Sequence, residues 1–130
     1  MQRDGVIESG LKLMKNFAKS NAFFEFEYAG EVGSGLGPTL EYYTLCANGL
    51  RSISEMWRSD MKDRSLFPAP LSLADKMIGR AKVLELFRLA GFLVAKCIVD
   101  DRIIDLPFSP LFWKKVRGER LFLQDIQILD

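Results

Sequence analysis

The strongest nucleophiles in this sequence are two thiols, Cys46 and Cys97. A thiolate attacks carbonyl carbon readily, but it needs a base or a positive field to form near neutral pH. The chain contains no histidine. That removes Cys-His and Ser-His-Asp catalysis, and any zinc site built on imidazole. Two cysteines far apart in the chain make neither a thiolate zinc site nor a Cys-x-x-Cys redox pair. Each lies in an apolar helical pattern, so both are expected to be small structural side chains in the core. Glu25, Glu27, Glu31 and Glu41 raise the question of paired carboxylates. Glu25 and Glu27 alternate with aromatic residues, the pattern of a strand with one solvated face. Glu41 is expected in the first turn of a helix, where negative charge is favourable against the helix dipole. Gly33-Ser34-Gly35-Leu36-Gly37-Pro38-Thr39 invites comparison with a phosphate-binding loop. A Walker loop needs Lys before the Ser or Thr, and Pro38 stands there instead. A dinucleotide fold wants its strand buried on both faces, which Glu25 and Glu27 prevent. No nucleotide, metal or other cofactor is expected.

The elements that would position these residues centre on residues 23–50. Phe24, Phe26 and Tyr28 point to one face of a strand. Gly30, Gly33, Gly35 and Gly37 follow within eight positions, and glycine reaches backbone conformations closed to other residues. Pro38 is expected at the first helical position, where its missing N–H costs nothing. Gly35, Gly37 and Pro38 are thus the expected pivot between strand and helix. Leu40, Tyr43, Ala47 and Leu50 follow at helical spacing. Ahead of the strand, residues 6–18 predict a helix with Ile7, Leu11, Met14 and Ala18 on one face. Residues 51–80 lack a sustained period and read as a long connection, pinned by Trp57, Phe67 and Leu71. Ser72 or Asp75 would cap a helix over residues 75–98, striped by Val83, Phe87, Ala90, Val94 and Cys97 and covered on most sides. Gly91 in its middle predicts close approach of a neighbouring element, which would offset a cost of about 1 kcal/mol against Ala. Residues 103–106 predict a short strand. Ser109-Pro110 predicts an N-cap and first-position proline for a helix that Gly118 stops. The expected core is Ile7, Leu11, Met14, Phe24, Phe26, Leu40, Tyr43, Ala47, Leu84, Phe87, Ala90, Val94 and Phe112.

With 48% hydrophobic and 27% charged residues, the composition is that of a folded globular chain. A net charge of +1 supplies no general attraction to nucleic acid or anionic membrane. The aromatics Phe23, Phe24, Phe26, Tyr28, Tyr42 and Tyr43 are not interleaved with cations, so they read as core and not as a base-stacking platform. Lys114, Lys115, Arg117 and Arg120 beside Trp113 read as a solvated helix face. No run approaches the ~20 apolar residues of a membrane span, and the first ten residues lack a signal-peptide pattern. No nucleic-acid or membrane partner is expected, and the setting is expected to be cytoplasmic or nuclear. The last six residues lack terminal punctuation, so the sequence reads as part of a domain.

Four ordered segments carry a resemblance to a known family. Residues 24–43, from Phe24-Glu25-Phe26-Glu27-Tyr28 through Gly35-Leu36-Gly37-Pro38-Thr39 to Tyr42-Tyr43, resemble the opening of a HECT ubiquitin-ligase domain, in particular the ubiquitin-fusion-degradation subgroup. Met56-Trp57-Arg58 with Leu66-Phe67-Pro68-Ala69-Pro70-Leu71 resembles the connecting loop. Phe87-Arg88-Leu89-Ala90-Gly91 and the residues after it resemble the central helix. Asp101-Arg102-Ile103-Ile104-Asp105-Leu106-Pro107-Phe108-Ser109 and Phe112-Trp113-Lys114 resemble the segment after that helix. The resemblance implies an α+β, predominantly helical fold: an incomplete large subdomain of the N-terminal lobe, over residues 1–130. It implies a transferase that takes ubiquitin from a conjugating enzyme onto a cysteine and passes it to lysines of a protein substrate. The family's catalytic cysteine lies in a C-terminal lobe, beside a histidine. Neither Cys46 nor Cys97 has that context, so this stretch is expected to be scaffold. The conjugating enzyme and ubiquitin would be met by the small subdomain and the catalytic lobe, which the sequence lacks. The alternative is a truncated, non-catalytic interaction module.

Overall fold

A computed structural model describes residues 5–17, 36–71 and 79–128. Helices dominate it: α1 (Val6–Phe17), α2 (Leu36–Arg51), α3 (Arg80–Val99) and α4 (Pro110–Val116), followed by a 3-10 helix, Leu123–Ile128. No strand forms among the described residues, where pairing is limited to two isolated bridges. The expected strand of residues 24–28, Gly35 of the expected pivot, and Phe24 and Phe26 of the expected core lie outside them. The backbone groups into two compact units, Met1–Ser52 with Leu84–Asp105, and Ile53–Val83 with Leu106–Asp130.

In the first unit, α2 buries Thr39, Tyr42, Tyr43, Cys46, Ala47 and Leu50. These recur every three or four residues and make one continuous stripe. The expected stripe through Leu40 is corrected: Leu40 is 42% exposed. The true face lies one position away, and a polar residue, Thr39, occupies it. The helix also starts earlier than expected, because Leu36 and Gly37 already belong to it ahead of Pro38. Proline is still accommodated there, since the first four helical N–H groups have no intrahelical partner. The same shift takes Glu41 out of the first turn.

Val6, Gly10, Leu11 and Met14 form the buried side of α1, with Lys12 and Lys15 on the exposed side as expected. Gly10 sits where three helices converge. A Cβ placed on it would lie 2.9 Å from the Tyr42 hydroxyl and 3.2 Å from Leu89 Cδ1. Gly49 of α2 serves in the same way, with Ile7 Cδ1 3.0 Å from its would-be Cβ. Small residues therefore set the spacing at which α1 lies on α2. Lys15 Nζ reaches Glu85 Oε1 of α3 at 2.9 Å.

Helix α3 begins at Arg80; Ser72 and Asp75, the expected caps, lie outside the described residues. Gly79 has φ +88 and precedes the first helical residue, and a left-handed residue cannot sit inside a right-handed helix. Its buried line runs through Leu86, Leu89, Ala90, Leu93 and Cys97. Phe87 and Val94 are half-buried, and Leu84, Ile98 and Val99 are exposed. The helix is thus not covered on most sides. Nor does anything approach Gly91: it is exposed, and no atom of the described residues lies within 4 Å of a Cβ built there. Helix α3 ends in a Schellman turn, with Arg102 N–H bonded to Cys97 O at 2.8 Å and Asp101 N–H to Ile98 O at 3.4 Å. Asp101 takes the left-handed position, φ 53, where glycine is commonest and Asp is tolerated. Residues 103–106 are irregular, which corrects the expected strand. Ile103 is 94% exposed, and the bridge that forms nearby falls two residues further on, at Phe108.

In the second unit, the long connection closes on itself. Trp57 bridges Pro68 in antiparallel sense. Arg58 N–H bonds Phe67 O at 2.9 Å, and Ala69 N–H bonds Met56 O at 2.8 Å. At the tip, Arg64 is left-handed (φ 58), and Asp63 Oδ1 accepts from Ser65 N–H at 3.0 Å and Ser65 Oγ at 2.6 Å. Leu66 is then clasped from both sides: its N–H donates to Pro107 O at 2.7 Å, and its carbonyl accepts from Ser109 N–H at 2.9 Å. Met56, Trp57, Met61 and Leu66 are the buried anchors. Phe67 and Leu71 are only half-buried. Helix α4 follows its local code. Ser109 caps it, with Oγ accepting from Leu111 N–H at 3.1 Å, and Pro110 opens it. Gly118 (φ 74) ends it in a second Schellman turn, in which Glu119 N–H reaches Lys114 O at 2.9 Å. Phe112, expected in the core, is half-buried.

Candidate functional site

Tyr43 is the centre of the polar chemistry in the first unit. It is buried in α2, and its hydroxyl donates to Asp100 Oδ2 at 3.2 Å. The Arg102 guanidinium lies over its ring at 5.6 Å from the centroid. The Schellman turn of α3 explains the arrangement, because it reverses the chain immediately after Asp100 and so brings Arg102 back beside the helix. Burial, then the Asp100 charge, push the Tyr43 hydroxyl well above its ordinary range, with Arg102 opposing. The phenol is therefore a neutral hydrogen-bond donor at physiological pH. Asp100 Oδ1 and Arg102 Nε and Nη1 are buried without a hydrogen-bond partner among the described residues.

Both cysteines belong to the first unit and both are buried. Cys46 lies in α2, its Sγ 3.7 Å from Val6 O. Burial pushes its thiol up from 9.0 to about 11, and a hydrogen bond with Tyr42 offsets only part of that. Cys97 lies on the buried line of α3. Burial and the neighbouring Asp100 charge raise it to about 11 as well, against a smaller opposing effect of Arg102. The thiolate is the nucleophilic form. Both side chains are held as neutral thiols, screened from solvent, with no imidazole in the chain to deprotonate them.

The expected pivot of Gly35, Gly37 and Pro38 falls only partly on the described residues. Gly35, Glu25, Glu27 and Glu31 lie outside the described residues, and Gly37 and Pro38 are part of α2. Among the described residues no group of three or more Cys, Asp or Glu side chains is arranged to hold a metal ion. No helix there is long and apolar enough to cross a membrane.

An aromatic cluster organises the second unit. Phe108 and Phe112 stack with centroids 4.4 Å apart and rings 13° from parallel. Trp113 meets Phe108 edge-on at 5.4 Å, and Trp57 reaches Phe108 at 6.0 Å. Phe108 is thus the hub joining the clasped connection to α4. Sequence reading missed that role, because Phe108 lies ahead of α4 and outside its helical period. Beyond α4, Asp125 Oδ1 accepts from Lys114 Nζ at 2.9 Å and Oδ2 from Phe122 N–H at 2.8 Å.

The profile of the family described as HECT-domain (ubiquitin-transferase) matches residues 43–130. That span takes in Tyr43, Cys46, Cys97, the clasp and the aromatic hub. The chain belongs to the HECT-domain family. It is 37% identical to the E3 ubiquitin-protein ligase UPL3 of Arabidopsis thaliana, an alignment covering 100% of this chain and 8% of that protein. It is 35% identical to UPL4 of the same plant, over 98% of this chain and 9% of the relative. It is 33% identical to ubiquitin fusion degradation protein 4 of Saccharomyces cerevisiae, over 88% of this chain and 9% of the relative. The likeness to a ubiquitin fusion degradation protein therefore extends over most of this chain, and this sequence spans less than a tenth of each of these relatives.

Proposed function

We propose that this stretch is scaffold within a HECT ubiquitin ligase, part of the large subdomain of its N-terminal lobe. The ligase would take ubiquitin from a conjugating enzyme as a thioester and hand it to a substrate lysine. In that reaction a cysteine thiolate attacks the ubiquitin thioester carbonyl and the conjugating enzyme's thiolate leaves. A lysine amine then displaces the ligase thiolate and forms the amide. The observation that carries the scaffold reading is the state of the two thiols. Cys46 and Cys97 are buried, and their surroundings favour the protonated form. An acyl acceptor needs exposure and a lowered pKa, and both cysteines have the opposite. The acceptor cysteine would stand elsewhere in the ligase.

The test is to mix the 130-residue chain with conjugating enzyme charged with ubiquitin and resolve the products without reductant. No ubiquitin adduct on the chain is expected. A reductant-sensitive adduct that disappears in Cys46→Ala or Cys97→Ala would overturn the reading.

A further inference from the structure

Helix α3 leaves one line of its surface uncovered. Leu84, Arg88, Gly91, Ala95 and Ile98 are all exposed. They recur at alternating steps of four and three residues, so they stack along one side of a single helix. That is the seam spacing of helices that pair. Leu84 is 39% exposed and Ile98 75%, and neither gains stability from facing water. Between them the seam is low. Gly91 has no side chain and Ala95 only a methyl, and no atom of the described residues lies within 4 Å of a Cβ built on Gly91. A second helix can approach most closely at such a point, because side-chain bulk sets the distance between packed helices. Two charges mark the same line. Arg88 stands on it, and Asp101 follows its end in the left-handed turn that closes α3. Both are exposed, and neither is ion-paired among the described residues.

We propose that this line pairs with the same line of a second copy of the chain, antiparallel about a two-fold axis that passes between Gly91 and Ala95. A two-fold interface needs a surface that is its own complement, and this line is one. With the axis there, each Gly91 meets the partner's Ala95, and each Arg88 lays its aliphatic stem on the partner's Ile98. Leu84 lies one turn from the same Ile98. Asp101 of one copy then stands opposite position 85 of the other, three residues from Arg88, or about 4.5 Å along the helix axis. An arginine side chain spans that offset, so the two-fold creates two Arg88–Asp101 pairs. A parallel pairing would set Arg88 beside Arg88 and leave Asp101 beside Asp101. Charge complementarity thus selects both the occupant and its direction. A single helical seam falls short of the ~1,600 Å² of a standard interface, so the complex is weak, and the dilute chain is a monomer. The inference is independent of where the acceptor cysteine of the ligase stands.

Sedimentation equilibrium of the chain over a rising series of concentrations is expected to show its mass climbing from monomer to dimer. Arg88→Asp and Asp101→Arg should each weaken dimerisation at least about tenfold, since each opposes like charges across the seam. The double variant should restore it, because the swap re-forms both pairs. Arg64 already holds the left-handed backbone that Asp101→Arg requires. A second readout needs neither charge variant to fold. Gly91→Cys chains mixed with Ala95→Cys chains should form a disulfide between the two kinds under mild oxidation, while the native thiols stay buried. A chain that stays monomeric throughout overturns the proposal. So do charge reversals without rescue in the double variant, or disulfides that join only like with like, which would mean a parallel pair. A full ligase that remains monomeric while the chain dimerises would assign the line to the ligase's own chain, and would overturn it too.

Discussion

Replacing Gly91 with alanine should stabilise this chain, and the structure fixes both the sign and the size. Gly91 lies inside α3, exposed, with no atom of the described residues within 4 Å of a Cβ built on it. The added methyl therefore meets nothing, and the gain is the intrinsic preference of an exposed helix interior for Ala over Gly, about 0.8–1 kcal/mol. For a chain of this length that corresponds to a rise in Tm of roughly 3–5 °C, or about 0.5 M urea at an m-value of about 2 kcal/mol/M. Gly10→Ala is the matched control. It also adds a methyl to a helical glycine, but that methyl would stand 2.9 Å from the Tyr42 hydroxyl and 3.2 Å from Leu89 Cδ1. Overpacking of about 1–3 kcal/mol cancels or exceeds the same helical gain. Urea unfolding of the two variants and the parent, followed by far-ultraviolet circular dichroism, should move the midpoint upward for Gly91→Ala and leave it level or lower for Gly10→Ala. A fall of more than about 0.5 kcal/mol for Gly91→Ala, the scale of an ordinary surface change, would refute the reasoning. It would mean that another part of the protein packs directly on that position.

Three further outcomes can be checked on the same chain. Gly118→Ala has room for its methyl but must hold φ near 74, so it should cost about 1–2 kcal/mol in urea unfolding. Tyr43→Phe removes a donor from Asp100 Oδ2, while Oδ1 already lacks a partner among the described residues. A loss of about 1.5–2 kcal/mol is expected, within the range for hydrogen bonds to charged groups, and an unchanged urea midpoint would contradict it. Both thiols are raised from 9.0 to about 11. The unfolded chain releases these protons from about pH 9, and the native state holds them until about pH 11. The associated stability is therefore complete below pH 9 and disappears as pH rises to 11. Tyr43, also raised, adds to the same decline. Cys46→Ala should flatten the curve of stability against pH across that window, and an identical curve in the variant would count against the assignment.

The helices are legible in the sequence wherever local chemistry decides them. The ends of α4 are written by Ser109, Pro110 and Gly118, whose capping roles need only neighbouring backbone. The side of α1 that carries Leu11 and Met14 is set by the contrast with Lys12 and Lys15. Faces are harder where contrast is absent. From Leu89 to Val99, Lys96 is the one charged residue, so periodicity cannot choose a side. Leu89, fully buried, escapes such a reading, and Leu84, exposed, is wrongly placed in the core by it. On α2 the face includes Thr39, and a pattern drawn through apolar residues alone rotates away from it. Gly10 and Gly91 show the same limit from the other direction. A glycine in a helix announces that a methyl is missing, and only tertiary structure says whether something occupies its place. The two cysteines are legible as core because each stands in an apolar pattern, and that needs no knowledge of their partners. The link between Tyr43, Asp100 and Arg102 spans more than fifty residues and leaves no local trace.

The clasp between Trp57 and Pro68 has a practical use for anyone wishing to graft onto this protein. Its stem is closed by the amides of Arg58 and Ala69, while Lys62, Asp63 and Arg64 at the tip face solvent. Foreign sequence spliced in after Lys62, such as an epitope or a fluorophore-acceptor tag, would lengthen the tip and leave every stem bond in place. Longer excursions between closed ends add little entropic cost, about 0.6 kcal/mol per doubling. That tip is a handle by which the protein can be labelled without loosening the anchors beneath it.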